Sequence, residues 1–283
     1  MVIGFWNINN NKKDKFDKSD CLIDFVSENQ IDILVLAEAD SETVLEFLKK
    51  AIYFGKKFNQ VSSFGTNITI LTILSSDIFD NATNIRISKL YTSTRWLIYQ
   101  IEIPNIIRFN LASVHFHSKL NWSKESLALE CVHFSRDIST VEKNTNCYAT
   151  ILIGDFNMNP FEDGVVAANG LNAIQDLNYV SQRPNGRKID SIDYNYFYNP
   201  MWNFFGDSRK PYGTHYCRPS GHISQEWNIY DQVMFREPIK KYLAKDYINI
   251  IDTIAGDKLT KAFERPDNKS YSDHLPITFK LKL

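Results

Sequence analysis

Two spacings of apolar residues divide this chain. Residues 31–36 (Ile-Asp-Ile-Leu-Val-Leu) and 148–153 are nearly continuous apolar runs, as expected of strands buried on both faces. β-rich runs at 2–8, 67–74, 85–91, 96–103, 107–114, 229–235, 247–251 and 277–283 predict further strands. Helical spacing takes over at Leu22, Ile23, Phe25 and Val26, which predicts a helix capped by Ser19 or Asp20 and ending near Asn29. A second helix is predicted over 42–52, stopped by Gly55. Leu127, Cys131, Phe134 and Ile138 predict a long helix, opened at Ser123 and running to about Val141. A short helix at 160–168 follows. Residues 181–221, rich in Asn, Gly, Pro, Tyr and Trp, follow neither spacing and predict loops with a small hairpin. No repeat or Gly/Pro/Ser-rich linker interrupts the chain. Many strands with three or four helices predict one α/β domain over 1–283, with packed sheets inside and helices outside.

Composition narrows the function classes. Among 283 residues, 43% are hydrophobic and 13% aromatic, enough for a large core. Thirty-two basic against 33 acidic side chains leave a net charge of −1, so a polyanion site must be built locally. Cys21, Cys131, Cys147 and Cys217 form no CxxC pair and read as reduced thiols. No apolar run is long enough to span a bilayer, and Met1 leads directly into a strand pattern. A cytoplasmic protein with no leader, membrane partner or obligatory protein partner is the expectation.

Polar groups recur at the C-terminal edges of apolar strands. They are Asn7, Glu38, His115, the pair Asp155 and Asn157, Asp231, and the pair Asp273 and His274. A lone Asn or Asp there is ordinarily a turn residue, but a carboxylate after a buried strand, like Glu38, needs a partner. If residues 155–157 stay extended beyond a turn at Gly154, Asp155 and Asn157 face one ligand together. Glu38 with Asn7 or Asp273 offers hard oxygens to Mg²⁺ or Mn²⁺. Asp155 is placed to activate a water, His274 to be held by Asp231, and His115 and Asn157 to donate to phosphate oxygens. No Ser or Cys nucleophile stands beside a base, and neither HExxH nor a phosphate-binding Gly-Lys-Ser/Thr loop is present.

In this order Trp6-Asn7, Leu36-Ala-Glu38, Ser113-Val-His115-Phe, Gly154-Asp-Phe-Asn157, Ile229-Tyr-Asp231 and Ser272-Asp-His274-Leu-Pro276 resemble the endonuclease/exonuclease/phosphatase superfamily. The resemblance covers essentially the whole chain. It implies a deoxyribonuclease I-like four-layer α/β sandwich, two packed mixed sheets flanked by helices, and metal-dependent phosphoester cleavage by an activated water. It makes Asn7, Glu38 and Asp273 metal-site groups and His115 a phosphate-side donor. Asp155 and Asn157 become the water- and phosphate-orienting pair, and Asp231 the partner of His274. The chain departs from the family pattern at Ala37, where Gln is common, and His117 is an alternative to His115 on the same strand face.

The expected substrate is nucleic acid, DNA ahead of RNA. Arg95 is a candidate phosphate clamp, while Trp202 and Tyr216 belong to an aromatic and cationic region, with Arg209 and Lys210, suited to stacking on bases. A phosphoinositide-type phosphatase or phospholipase is the alternative, and a non-catalytic binding module the third reading. Asp190 and Asp193 read as loop carboxylates, and the basic clusters 12/13/15, 49/50/56/57 and 183/187/188 mostly as solvated faces.

Overall fold

A computed structural model describes residues 1–9, 18–62, 68–73, 85–207, 209–218, 222, 225–262 and 265–283, with backbone alone at 70–73. The loop at Asn10-Asn11, lysines 12, 13 and 15, and the ends of the strand predicted at 67–74 lie outside the described residues.

Among those residues the strands form two large mixed sheets. The first runs in the order β16 (Leu243–Ile250), β19 (Ile277–Leu281), β1 (Val2–Asn7), β2 (Ile33–Ala37), β4 (Ile68–Ile73), β3 (Phe58–Gln60). The second runs β5 (Arg86–Thr92), β6 (Trp96–Ile103), β7 (Ile107–His115), β8 (Thr150–Asp155), β15 (Asp231–Phe235), β12 (Phe197–Tyr198), β9 (Ala173–Ile174). Small hairpins pair β10 (Arg187–Ile189) with β11 (Ile192–Tyr194), and β17 (Thr253–Ile254) with β18 (Asp257–Lys258). A third pairs β13 (His215–Tyr216) with β14 (Trp227–Asn228).

Side-chain alternation explains the layering. On β8, Ile151 and Ile153 enter the core shared with the first sheet, while Leu152 enters a second core on the outer face. On β15, Val233 and Phe235 face inward and Met234 outward. The outer core is closed by the long helix α3 (Lys124–Thr145), whose Leu127, Cys131, Phe134, Ile138 and Val141 stand three or four residues apart. Burial of each large apolar side chain on that stripe contributes ~1.5–3 kcal/mol. Helices α1 (Lys18–Glu28) and α2 (Ser41–Tyr53) pack their apolar faces with the first sheet. Two shorter α-helices, α4 (Asp163–Val166) and α5 (Leu177–Ser181), and 3-10 turns at Pro200–Phe204 and Glu237–Tyr242 are also present. Helices outside two facing sheets make the four-layer sandwich predicted from the resemblance. No described helix is long and apolar enough to cross a membrane.

Some details differ. Ser19 and Asp20 lie inside α1, so neither caps it. Asp40 caps α2 and Ser123 caps α3, each accepting from a backbone N–H three residues on. Asp190 turns the β10–β11 hairpin with φ 47°, but Asp193 is within β11. Gly154 makes no turn: β8 runs through it to Asp155, because β7 passes so close that a Cβ would meet the Val114 carbonyl oxygen at 2.0 Å. Among the cationic side chains grouped as solvated, Arg187 is instead tied to Asn172 Oδ1 and Val166 O.

The buried pair Glu142–Arg236 clamps α3 to the end of β15, with Nε to Oε1 at 2.9 Å and Nη2 to Oε2 at 3.3 Å. Glu142→Ala strands the guanidinium in the core and is expected to cost ~3–5 kcal/mol in urea unfolding. Lys49→Ala, which removes an exposed pair with Glu46, should cost under ~1 kcal/mol. Equal losses in the two variants would contradict this account of the clamp.

Candidate active site

Strand direction decides which ends meet. β1 and β2 are parallel, with Asn7 beside Ala37, and Glu38 follows in a left-handed conformation (φ 52°). β7 and β8 are parallel, with His115 beside Asp155. β15 is antiparallel to β8, so Asp231 opposite Asp155 is the first residue of its strand. β19 is likewise antiparallel to β1, which brings the preceding Asp273 and His274 to the same edge. Asp231 was expected inside a strand at its C-terminal edge. It sits instead at an N-terminal end, because antiparallel pairing reverses which end arrives.

The groups converge on one oxygen, Asp155 Oδ2. Asn7 Nδ2 donates to it at 3.0 Å and to Glu38 Oε1 at 3.2 Å. His115 Nε2 lies 3.8 Å from Oδ2 and 3.4 Å from Glu38 Oε1. His274 Nε2 lies 3.9 Å from the same Oδ2, a gap that a single oxygen can bridge with two hydrogen bonds. His274 Nδ1 is held by Asp231, 2.8 Å from Oδ2 and 3.1 Å from Oδ1. The His115 Nδ1 is buried, with no hydrogen-bond partner among the described residues.

Asp155 and Asn157 do not meet by strand alternation. The strand ends at Asp155, Asn157 turns left-handed (φ 49°), and its N–H donates to Asp155 Oδ1 at 2.8 Å. An Asx-type turn thus aims the carboxylate, while Asn157 Nδ2 donates to Phe116 O at 3.0 Å. His117 lies beyond the strand end, so it leaves the His115 face: its Nδ1 engages Glu130 and its ring stacks on Trp122 at 3.7 Å.

Several positioning residues carried no recognisable signal in the sequence. Asn9 donates its backbone N–H to Asn7 Oδ1 (3.1 Å) and its amide to Asp273 Oδ1 (2.7 Å). Thr214 Oγ1 accepts from the N–H groups of Tyr230 and Asp231, both at 3.1 Å, which fixes the start of β15. Asn159 accepts from Ile229 N at 2.8 Å and donates to Asn228 Oδ1 at 2.8 Å. Ser272 and Trp6, by contrast, belong to the motif blocks: Ser272 Oγ donates to Asn7 O and Trp6 Nε1 to His274 O, which pins the 272–274 turn to β1. Lys119 brings a cation over the Tyr230 ring at 4.8 Å while paired with Glu162.

Of the three candidate substrate residues, Arg95 is nearest the cluster in connectivity. Its carbonyl accepts from His115 N at 2.9 Å, and its guanidinium meets no acceptor among the described residues. Tyr216 follows His215, which bridges to His274, but its ring packs on Trp227. Trp202 packs on Phe161 and Phe205, with a buried and unpartnered Nε1. Arg209 and Lys210 line a cavity of about 370 Å³ beside Asp246–Ile250 of β16.

Charge makes the cluster unusual. Burial would raise the Glu38 carboxyl, but hydrogen bonds from His115 and Asn7 and the charge of His115 hold it down at about 2. Burial would lower His274, but Asp231, Asp155 and Asp273 push it up to about 10. Burial together with the neighbouring His274 cation depresses His215 to about 4. Four carboxyl groups, Glu38, Asp155, Asp231 and Asp273, thus gather around His115 and His274. Hard oxygen donors with excess negative charge fit a divalent cation. Among the described residues, two groups bring three ligand atoms within 4.8 Å of one another: Asp155/Asp231/His274 and His215/Asp273/His274. Neither contains Glu38. Asn7 turns its amide nitrogen to Glu38, and Asn9 links Asn7 to Asp273, its N–H donating to Asn7 Oδ1 and its amide to Asp273 Oδ1.

No family model matches the sequence, and no curated protein matches it. Solved structures do. TDP2 of D. rerio complexed with a single-strand DNA product is 17% identical, with TM-score 0.59, covering 100% of this chain and 99% of that one. The fold is deoxyribonuclease I-like. The human Nocturnin catalytic domain with a bound sulfate shares it at 15% identity, TM-score 0.56, covering 100% and 94%. So does an AP endonuclease from Archaeoglobus fulgidus, at 12% identity, TM-score 0.52, covering 100% of both. These neighbours are endonuclease/exonuclease/phosphatase superfamily proteins.

The pH dependence of stability follows from His274. Its folded value of about 10 lies above the ordinary 6.5. The imidazolium's stabilisation is therefore fully present below pH 6.5 and is lost as pH rises through about 10. The stability gap between wild type and His274→Gln, measured by urea unfolding in EDTA, should shrink steadily across that window. A gap that stays constant would show that His274 is not held as a cation.

Proposed function

We propose that this protein is a divalent-cation-dependent phosphodiesterase that hydrolyses nucleic acid, DNA ahead of RNA. The observation that carries the reading is the convergence of Asn7, His115 and His274 on Asp155 Oδ2, with Asp231 behind His274. A carboxylate so placed orients an attacking water and accepts its proton, and an imidazolium facing it donates to a non-bridging phosphate oxygen as charge builds. Asp231 sets the tautomer and position of His274. His115 donates from the end of β7 and Asn157 from the turn after β8. Mg²⁺ or Mn²⁺, held by Glu38, Asn7 and Asp273, would polarise the phosphoryl group and offset the carboxylate charge.

The substrate side rests on Arg95, Trp202 and Tyr216. The Arg95 carbonyl accepts from His115 N, and its guanidinium meets no acceptor among the described residues. Trp202 and Phe205, from the segment 200–205, pack with the exposed Phe161 of the loop after Asn159 into an aromatic group suited to unpaired bases. One structural neighbour is complexed with a single-strand DNA product and another is an AP endonuclease, which favours DNA. The four free thiols suit a reducing compartment such as the cytoplasm.

Purified protein should cleave at least one of plasmid, abasic duplex, single-stranded DNA and RNA with Mg²⁺ or Mn²⁺, and none in EDTA. Asp155→Ala and His274→Ala should each lower the rate by ~10²–10⁴ with unchanged circular dichroism. Asp231→Asn should cost less, because it mis-sets the histidine without removing it. Near-normal turnover by His274→Ala sinks the assignment. Intact nucleic acid with phosphate released from a soluble phosphoinositide moves the protein to phosphatase chemistry.

A further inference from the structure

His215 has no part in the chemistry above, yet it stands against the reacting histidine. The two rings are 4.5 Å apart, and the backbones of His215 and His274 bridge. Three residues here, His215, Asp273 and His274, bring ligand atoms within 4.8 Å of one another. A neighbour already occupies one end of each. His215 Nδ1 lies 3.4 Å from Cys217 Sγ. Asp273 Oδ1 accepts from Asn9 Nδ2 at 2.7 Å. His274 Nδ1 is bonded to Asp231. That leaves His215 Nε2, Asp273 Oδ2 and His274 Nε2 as the atoms able to share a ligand.

Two imidazole nitrogens and one carboxylate oxygen are the donor set of a borderline transition-metal ion, with further coordination positions left to water. They do not suit Mg²⁺, which prefers oxygen. Metal-binding histidines are characteristically oriented by a hydrogen bond to the second ring nitrogen. Here both histidines have such a partner and the carboxylate has its own, so the outer layer of a metal site exists among protein groups alone. The stack of His215 on Tyr230, with centroids 5.2 Å apart, further fixes the ring plane.

We propose that His215, Asp273 and His274 form a transition-metal site, with Zn²⁺ as its ligand, sharing only Asp273 with the oxygen-rich pocket at Glu38 and inhibitory when filled. Coordination displaces the proton of His274 Nε2 to solvent and occupies the nitrogen that would otherwise donate to the phosphate. The inhibitory consequence rests on the phosphodiesterase reading. The binding site does not.

The test is competition for Zn²⁺ between a chromogenic chelator and the metal-free full-length protein, without substrate. Wild type should hold one Zn²⁺ per chain, and Co²⁺ in its place should give the visible absorption of a low-coordinate site. His215→Ala, checked for folding by circular dichroism, should lose both signals. Cys217→Ala, which keeps all three ligands, should bind ~10-fold more weakly and serves if His215→Ala does not fold. No Zn²⁺ on wild type, or equal affinity in wild type and both variants, overturns the site. Zn²⁺ added to Mg²⁺-supported cleavage should slow wild type, and undiminished turnover at saturating Zn²⁺ overturns the inhibitory role. Protein that binds Zn²⁺ through His215 but cleaves nothing retains the site and refutes the phosphodiesterase reading instead.

Discussion

The bond between Asp231 and His274 is the interaction on which this end of the sandwich depends. Both residues are buried, and a carboxylate or imidazole taken out of water alone costs several kcal/mol. Paired, they make the interior tolerate a second carboxylate: Asp155 lies directly opposite Asp231 across two antiparallel strands. The imidazolium between them is the compensating charge. Its position is set from three directions, by Asp231 on the ring, by Trp6 on its carbonyl and by Ser272 on its N–H. Thr214 fixes Asp231 in turn.

That arrangement explains why the strands end where they do. Asn7, Glu38, His115 and Asp155 close parallel strands, while Asp231 and His274 open antiparallel ones. Mixed sheets therefore supply both ends of strands to one edge, and residues from 7 to 274 meet there. The edge is polar because it is where the cores stop. Immediately beneath it lie Phe5, Ile153 and Ile277, all fully buried. Rigid strands hold the polar groups within hydrogen-bond reach, which is the preorganisation that proton transfer and phosphate stabilisation require.

Much of this could be read from the residues, for physical reasons that also mark the limits. The apolar run before Glu38 and the three-and-four spacing on α3 are consequences of burial, and they appear in sequence as hydrophobicity. The six motif blocks carried the fold. Gly154 was misjudged because a glycine needed for close strand approach looks the same as one needed for a turn. Asp231 was placed at the wrong end of its strand because strand direction belongs to pairing, not to local pattern. Thr214, Asn159 and Asn9 act through single hydrogen bonds to groups far along the chain, which leaves no periodic trace. Ser19 and Asp20 are ordinary cap residues by type, yet α1 begins before them. Residues 181–221 were legible as irregular with a hairpin, but the packing of Trp202 on Phe161 and Phe205 was not.

The central claim is that buried carboxylates hold His274 as a cation at neutral pH. Ring ¹⁵N chemical shifts of His274, assigned by comparison with His274→Gln and recorded in EDTA at pH 8, test it directly. Protons on both ring nitrogens, retained well above pH 6.5, are the predicted result. A neutral ring with an unprotonated Nε2 at that pH would contradict the account, because the group facing Asp155 Oδ2 would then have no proton to donate.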